Sequence, residues 1–563
     1  GGAALAELHP GDDTLSHDGA LSAVTPVVLD PERGVELLAM KDGTPVRFPA
    51  GEGRQNALAL DLAGAESDAD SMRTNFSAIG STVRARVGSR WTAGVTLPDS
   101  TSINGQSLTP LALGIGDAQR ADYIEILWPD GVYQTELGLE ANRLHDVPET
   151  QRQLSSCPVL FAWNGEGYDF VSDILGVGGI GFALAPGEYA TPDPTERFLF
   201  PEGSIAPRGG TLSIKIGEPM EEVAYFDRLS MHAVDLPPGW SMTLDERMHT
   251  GDRFEPTGEP VYYRRVSEPT RATNDRGGEV TDSIARQDNE AAPLPRKDPR
   301  FVGRTMDEHI ITLEFDSPID APPGEPVLVV DGWVEYPYSQ VMFAASQAGA
   351  SYEPLTLEAL DPATGEWVTL LDEFGYPAGM PRQMSAPIPN LPEGAAALRI
   401  RTTLEVYFDR IFVAHAEPCP HARGRELTID HATIREPGFP ERTTHDQRRP
   451  DYDYARRAPL WDTRHPEGWY TALGPCTTLI DREDGALAII GPGEEVHIEY
   501  IFGEKMQPDG WSRRYILDSK GWCKDMDLYT RWRDTVGPMP VEPVDDEAER
   551  RMRSHTTRWR SGD

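Results

Sequence analysis

The sequence predicts an all-β protein built from several antiparallel sandwich- or barrel-like units, and three observations carry that reading. Helical periodicity is scarce, while short runs rich in Val, Ile, Tyr, Phe and Trp recur between Gly, Pro, Asp and Asn. The 53 glycines and 49 prolines supply the turns. Residues 82–87, 211–216 and 495–500 alternate apolar with polar side chains, the pattern of strands with one buried and one solvated face. At 563 residues the chain exceeds one core, and about 100–200 residues per domain gives roughly three to five units.

Composition shifts set the expected boundaries. Residues 1–52 hold a strand-like stretch, 35–40, and the turn Lys41-Asp42-Gly43, too little to fold alone and the apparent end of something larger. A β domain is expected over 53–147, and a second over 148–300. The second closes on a polar stretch, 264–300, without periodic apolar residues, which reads as a long loop or linker. Residues 301–418 read as a β-sandwich, reminiscent by analogy alone of carbohydrate-binding modules. A proline-rich β region fills 419–563 and ends in a charged run, 545–563, expected as a helix or a frayed tail.

The formal charge of -39 repels phosphate backbones and anionic lipid, so nucleic acid and membrane surfaces are poor partners. Surplus carboxylate keeps a protein soluble in salty surroundings, and it also suits cations such as calcium. Cys157, Cys419, Cys476 and Cys523 lie far apart with no C-x-x-C pair, against zinc ribbons and thioredoxin-like chemistry. In an oxidising compartment they would form long-range disulfides. The longest uncharged apolar-looking stretch, 174–187, falls short of the about 20 residues a membrane helix needs. The chain opens on Gly-Gly without a basic-then-apolar leader, which reads as a processed, truncated or cloned terminus.

Family resemblance rests on spaced elements: Asn75, Ile79, Gly80 and Val83, then Gly114-Ile115-Gly116-Asp117, then Ile124-Glu125-Ile126-Leu127-Trp128-Pro129-Asp130-Gly131 and Gln134. Together they resemble the ASPIC/UnbV domain of cartilage acidic protein-like and bacterial exported proteins, where it follows a β-propeller of FG-GAP/VCBS repeats. The resemblance implies an extracellular or periplasmic protein. Upstream, Leu29-Asp30-Pro31-Glu32-Arg33-Gly34-Val35-Glu36 resembles a worn last FG-GAP repeat, which makes 1–52 the remnant of a propeller blade. Asp30, Glu32 and Glu36 would be its calcium ligands. Arg33 intrudes, however, and the loop is one residue short of the D-x-D-x-D-G pattern that supplies a hard cation with 6–8 oxygens. Segments around Cys157, Asp331, Phe374 and Gly521 resemble the C-terminal extension of some bacterial members, a likeness that implies no reaction.

Other constellations are weighed on their chemistry. His415, Cys419 and His421, with Glu417 between them, offer imidazole and thiolate for zinc or copper, but Pro418 and Pro420 equally make a linker. The run Gly176-Val177-Gly178-Gly179-Ile180-Gly181 lacks the strand-to-helix setting of a dinucleotide site and reads as a close-packed turn. Trp333, Glu335 and Tyr336, with Glu405, Tyr407 and Asp409, join carboxylates to aromatics as a glycan site would. Against that, Glu405, Tyr407 and Asp409 on one strand face, with Val406 and Phe408 on the other, is ordinary sandwich alternation. No G-x-S-x-G, H-E-x-x-H or G-x-x-x-x-G-K-[ST] occurs. The expectation is a non-catalytic exported binding, adhesion or scaffold protein with a protein or glycan partner and no membrane insertion. The rival readings are a glycan-active enzyme using the 301–418 carboxylates, or an accessory subunit of a larger exported complex.

Overall fold

Alternation settles the strands. Along Thr82–Val87 the side chains of Val83 and Ala85 are buried while Arg84 is exposed, and along Glu495–Ile501 the residues Val496, Ile498 and Tyr500 point inward. The architecture comes from a computed structural model that describes residues 6–7, 21–49, 55–64, 74–149 except 98, 103–104, 108–109, 130 and 132, and 157–562 except 176, 178, 250–253, 458–463 and 504–507. Strands hold 49% of it and helices 6%, so the all-β class is established. The chain divides into two units, Gly1–Arg152 and Gln153–Asp563.

In the first unit, Leu21–Val27, Glu36–Lys41 and Thr44–Phe48 form an antiparallel meander, joined in parallel by Ala6–Glu7. Two further sheets follow. One orders Leu111–Gly116, Asn56–Ala63 and Leu144–Pro148; the other orders Tyr133–Leu137, Tyr123–Leu127, Thr82–Val87 and Arg90–Val95. Leu58, Leu60, Leu113, Val83, Ile124 and Ile126 are all at most 2% exposed.

The second unit is two sandwiches. In the first, a sheet ordered Tyr168–Asp173, Val159–Trp163, Thr211–Gly217, Glu495–Ile501, Ile429–Arg435 and Gly474–Pro475 shares a core with a sheet ordered Thr195–Leu199, Ser512–Asp525, Glu222–Leu236 and Arg423–Leu427. Its backbone is the long antiparallel pair Glu222–Leu236 and Ser512–Asp525, running from Glu222 opposite Asp525 to Leu236 opposite Ser512 with one register shift between Phe226 and Arg228. Phe226, Leu229, Met231 and Leu517 are fully buried along it, each contributing about 1.5–3 kcal/mol of transfer free energy. In the second sandwich, a sheet ordered Ser241–Leu244, Pro260–Ser267, Val406–Ala416, Glu325–Val334 and Arg382–Pro387 shares a core with Arg271–Asn274, Arg304–Glu314, Ala397–Leu404, Thr356–Leu360 and Trp367–Leu371.

Two expected boundaries differ from this pairing. The stretch 264–300 is not a free linker: Pro260–Ser267 pairs with Val406–Ala416, and Arg271–Asn274 with Arg304–Glu314. Its arginines are tied to carboxylates, Arg264 and Arg265 to Glu417 and Arg271 to Glu314, so polar composition there reflects strands with ion-paired outer faces. Nor does 419–540 stand apart, since its strands complete the sheets begun at 159–236. The charged tail does form a helix, Asp546–His555, because the Asp545 carboxylate accepts the Glu547 and Ala548 N–H groups at 2.9 Å. Gly181 at φ 74° explains part of the glycine run: a Cβ there would lie 2.5 Å from the Arg531 carbonyl oxygen. Among the described residues no helix is long and apolar enough to cross a membrane.

Candidate functional site

The predicted aromatic and acidic residues converge, but inward. Val406 and Phe408 enter the sandwich core, so Glu405 and Tyr407 project from the opposite face, as the alternation requires. That face is covered by another part of the chain. The Ala292 N–H donates to the Phe408 carbonyl at 2.7 Å, and the Asp409 carboxylate accepts the N–H groups of Asp288 and Asn289 at 3.2 and 3.1 Å. Trp333 stacks on Tyr407 with ring centroids 5.4 Å apart, and its indole N–H donates to the Gln447 carbonyl at 2.9 Å.

Two carboxylates meet one guanidinium behind this stack. Arg448 Nε lies 3.2 Å from Glu405 Oε1 and Arg448 Nη1 lies 3.8 Å from Glu335 Oε1, while the Tyr407 hydroxyl donates to Glu405 Oε1 at 2.5 Å. Glu335 is 4% exposed and Glu405 1%. Burial raises the Glu405 pKa to about 7 against the opposing pull of Arg448. A glycosidase needs its two carboxyls opposed across an open sugar site. Here the space between them is occupied by Arg448, so Trp333, Glu335, Glu405, Tyr407 and Asp409 form an internal polar knot. This corrects the expectation of an exposed binding face. A polar groove of about 690 Å³, lined by Asp288, Glu290, His445 and Gln447 among others, opens beside it.

Tyr336 goes elsewhere. Its ring lies edge-on to Tyr376, with centroids 6.4 Å apart, and lines a cavity of about 170 Å³ inside the second unit. The wall is largely apolar: Val177, Phe182, Leu184, Val334, Met342 and Leu404 contribute, with Tyr352 and Tyr376. Its polar groups are Glu222, Asp525, Cys157, Cys523 and the tyrosine hydroxyls. Glu222 and Asp525 are 1% and 6% exposed and sit opposite one another at the end of the long strand pair. Asp525 Oδ1 accepts the Asp527 N–H at 3.1 Å and the Thr530 hydroxyl. The Tyr336 hydroxyl oxygen is buried without a hydrogen-bond partner. Beside the cavity, Arg382 pairs with Glu196 and lies 3.7 Å from Asp173, whose pKa burial nevertheless raises to about 6.

All four cysteines are free thiols in this structure, where bridges were expected. Cys157 and Cys523 nonetheless meet across the cavity wall: a hydrogen bond between the two thiols, together with burial, holds the Cys157 pKa well above its ordinary value. Sequence reasoning missed the cavity because Cys157, Glu222, Tyr336 and Cys523 come from four distant segments with no local motif.

The expected metal ligands do not assemble. Asp30 Oδ1 accepts the Glu32 N–H at 3.1 Å and so caps a 3₁₀ turn, Pro31–Arg33, and Glu36 pairs with Arg47 at 2.6 Å. Asp30 and Glu36 are thus engaged in local structure, and among the described residues Asp30, Glu32 and Glu36 do not meet at ligand-like spacing. His415 is fully buried and shares a hydrogen bond with the Ser267 hydroxyl at 2.8 Å, whereas Cys419 is part-exposed and His421 lies on the surface. Among the described residues, the one group of three with ligand-like spacing is Asp430, His431 and Glu499, an exposed cluster in neither predicted set.

In the first unit the motif residues serve the fold. The Asn75 side chain accepts the Ile79 N–H and donates to the Ile79 carbonyl, both at 2.9 Å. Trp128 is 1% exposed, and its indole N–H donates to Gln134 Oε1 at 2.8 Å. Gly131 N–H closes the turn on the Trp128 carbonyl at 2.9 Å, while Asp130 lies outside the described residues.

Fold and sites together define a multidomain all-β protein with an internal cavity and no assembled catalytic group at the residues that suggested one. Residues 71–154 match the family model described as ASPIC and UnbV, so this part of the chain is an ASPIC/UnbV domain. No curated protein matches the chain.

Proposed function

We propose that the chain is a non-catalytic binding protein working in the periplasm or extracellular space, and that its second unit takes a small, predominantly apolar molecule into the cavity behind Tyr336. The observation that carries this reading is the cavity itself: an apolar wall broken by a few convergent polar groups is the ordinary make-up of a small-molecule site. Its volume of about 170 Å³ is close to the ~150 Å³ that holds one benzene, too small for an oligosaccharide. The rival glycan-active enzyme is disfavoured because Glu335 and Glu405 are engaged by Arg448. Export is supported by the ASPIC/UnbV domain and by the meeting of two buried thiols. The meander of 21–48 fits the end of an FG-GAP/VCBS-type propeller.

A larger partner, protein or glycan, has an observation of its own. Trp469 and Trp559, each 50% exposed, meet edge-to-face at 5.2 Å on paired strands and offer aromatic surface to a partner. The cavity reading is tested by titrating the whole protein with benzyl alcohol and following heat of binding and melting temperature. Saturable binding that is lost in Leu184→Trp, with an unchanged melting curve for the unliganded variant, is the expected result. No binding to the wild-type protein overturns it.

A further inference from the structure

A bulge interrupts the first sandwich where Ile429–Arg435 pairs with Glu495–Ile501. Ile429 lies opposite Tyr500 and His431 opposite Glu499, so Asp430 and His431 together oppose the single residue Glu499. Ile429 and Ala432 both pack on the core, which turns the two residues between them to the outside. A regular strand would send Asp430 and His431 to opposite faces. The bulge instead gathers an imidazole and two carboxylates on the outer face, with their ligand atoms all within 4.8 Å of one another. Asp430 Oδ2 meets His431 Nδ1 at 3.0 Å, and Glu499 Oε2 accepts the Thr211 hydroxyl at 3.3 Å. Among the described residues neither carboxylate forms an ion pair with an arginine or lysine. Glu495, on the same strand as Glu499, is by contrast paired with Arg457 at 2.6 Å and His497 at 2.8 Å.

We propose that Asp430, His431 and Glu499 bind a divalent transition-metal ion of the zinc class on the outer face of this sheet. The site is separate from the cavity, and its failure leaves the cavity reading untouched. One imidazole with two carboxylates suits zinc and its neighbours among the first-row metals, whereas calcium takes about 6–8 oxygens. Zinc sits about 2.0–2.2 Å from such donors, so binding draws them to roughly 3.4 Å from one another, a closure that exposed side chains make by small rotations. The Thr211 hydroxyl holds Oε2 of Glu499 and leaves Oε1 for the ion, the kind of support from outside the ligand set that metal carboxylates use. Water completes the coordination. Two negative charges that no arginine or lysine offsets gain a counter-ion, and the net charge of -39 draws cations toward the protein.

Equilibrium dialysis of the whole protein against buffered micromolar zinc, with bound metal read by atomic emission, tests the site. The other histidines and the four cysteines give zinc further places to bind, so the readout is the difference between the wild type and His431→Ala, Asp430→Asn and Glu499→Gln. None of the three side chains is in the core, and the melting curves of the variants should match the wild type. The wild type should hold one zinc ion more per chain than His431→Ala. Each carboxylate variant should bind that ion roughly tenfold or more weakly, and excess calcium should not displace it. Equal zinc content in the wild type and His431→Ala, or carboxylate variants that keep the wild-type affinity, overturns the site. Displacement by calcium overturns the class of metal. Should one variant fail to fold, the other two decide the matter.

Discussion

Trp128 fills the space between the strand Tyr123–Leu127 and the turn that follows, and its only polar atom is satisfied by Gln134, which donates in turn to the Pro148 carbonyl at 3.2 Å. Truncating a fully buried tryptophan leaves a cavity and an orphaned amide, so Trp128→Ala should lower stability by about 3–5 kcal/mol in chemical unfolding of the first unit. Cavity ligand binding in the second unit should be unchanged. The Trp-Pro-Asp-Gly run shows this role in the sequence because packing residue and turn are contiguous. Arg448 shows the opposite case: its two carboxylates lie 43 and 113 positions away, so no pattern along the chain points to it. Arg448→Met should cost about 3–5 kcal/mol, the usual cost of leaving buried charge unpaired. Adding Glu335→Gln and Glu405→Gln should recover most of that loss in the same unfolding measurement, because the charges that needed Arg448 are then gone.

Elements with one wet and one dry face were legible, and those buried or ion-paired on both faces were not. Glu495–Ile501 advertises itself by alternation, whereas Pro260–Ser267 hides among arginines whose partners lie elsewhere in sequence. Buried carboxylates set the pH response. Glu246 accepts the N–H groups of Arg197 and Arg247 at 3.1 Å, but burial, with Glu196 nearby, raises its pKa to about 8 despite Arg382. Between 4.5 and about 8 the folded protein therefore holds a proton that the unfolded chain has released, and stability falls as pH rises across that window. Glu405 and Asp527, each raised to about 7, act in the same direction. His309, brought down to about 4, and His465, to about 3, act oppositely, but their contribution is complete once pH passes 6.5. Lys215 and Lys524, lowered to about 8, add stability only above that value. The melting temperature should thus decline between pH 6.5 and 8, and Glu246→Gln should flatten the decline by up to about 1.4 kcal/mol per pH unit, read from urea unfolding at fixed pH values.

At the scale of the whole chain the sheets are knitted from both ends. Composition marks changes along a sequence, so it suggested breaks near 300 and 418, but sheets are closed by strands that return: Thr195–Leu199 pairs with Ser512–Asp525, and Thr211–Gly217 with Glu495–Ile501. The return also brings the thiols of Cys157 and Cys523 together from opposite ends of the second unit. Their hydrogen bond and burial hold Cys157 protonated, and a thiol is a poor nucleophile, so the native dithiol should react slowly with oxidants. During folding in an oxidising compartment, before burial is complete, exchange with a small disulfide such as oxidised glutathione would take two electrons and two protons from the pair and leave a bridge. A bridge closing so long a loop would stabilise the unit by roughly 6 kcal/mol in the chain-entropy account. Refolding in a glutathione redox buffer, followed by a non-reducing digest and mass spectrometry, should yield a Cys157–Cys523 peptide and two remaining thiols, Cys419 and Cys476. Cys476, buried with its pKa pushed up to about 12, should stay unmodified until the protein is denatured. Four titratable thiols after such refolding, with folding otherwise complete, would show that the pair is a packed dithiol and would remove this support for export.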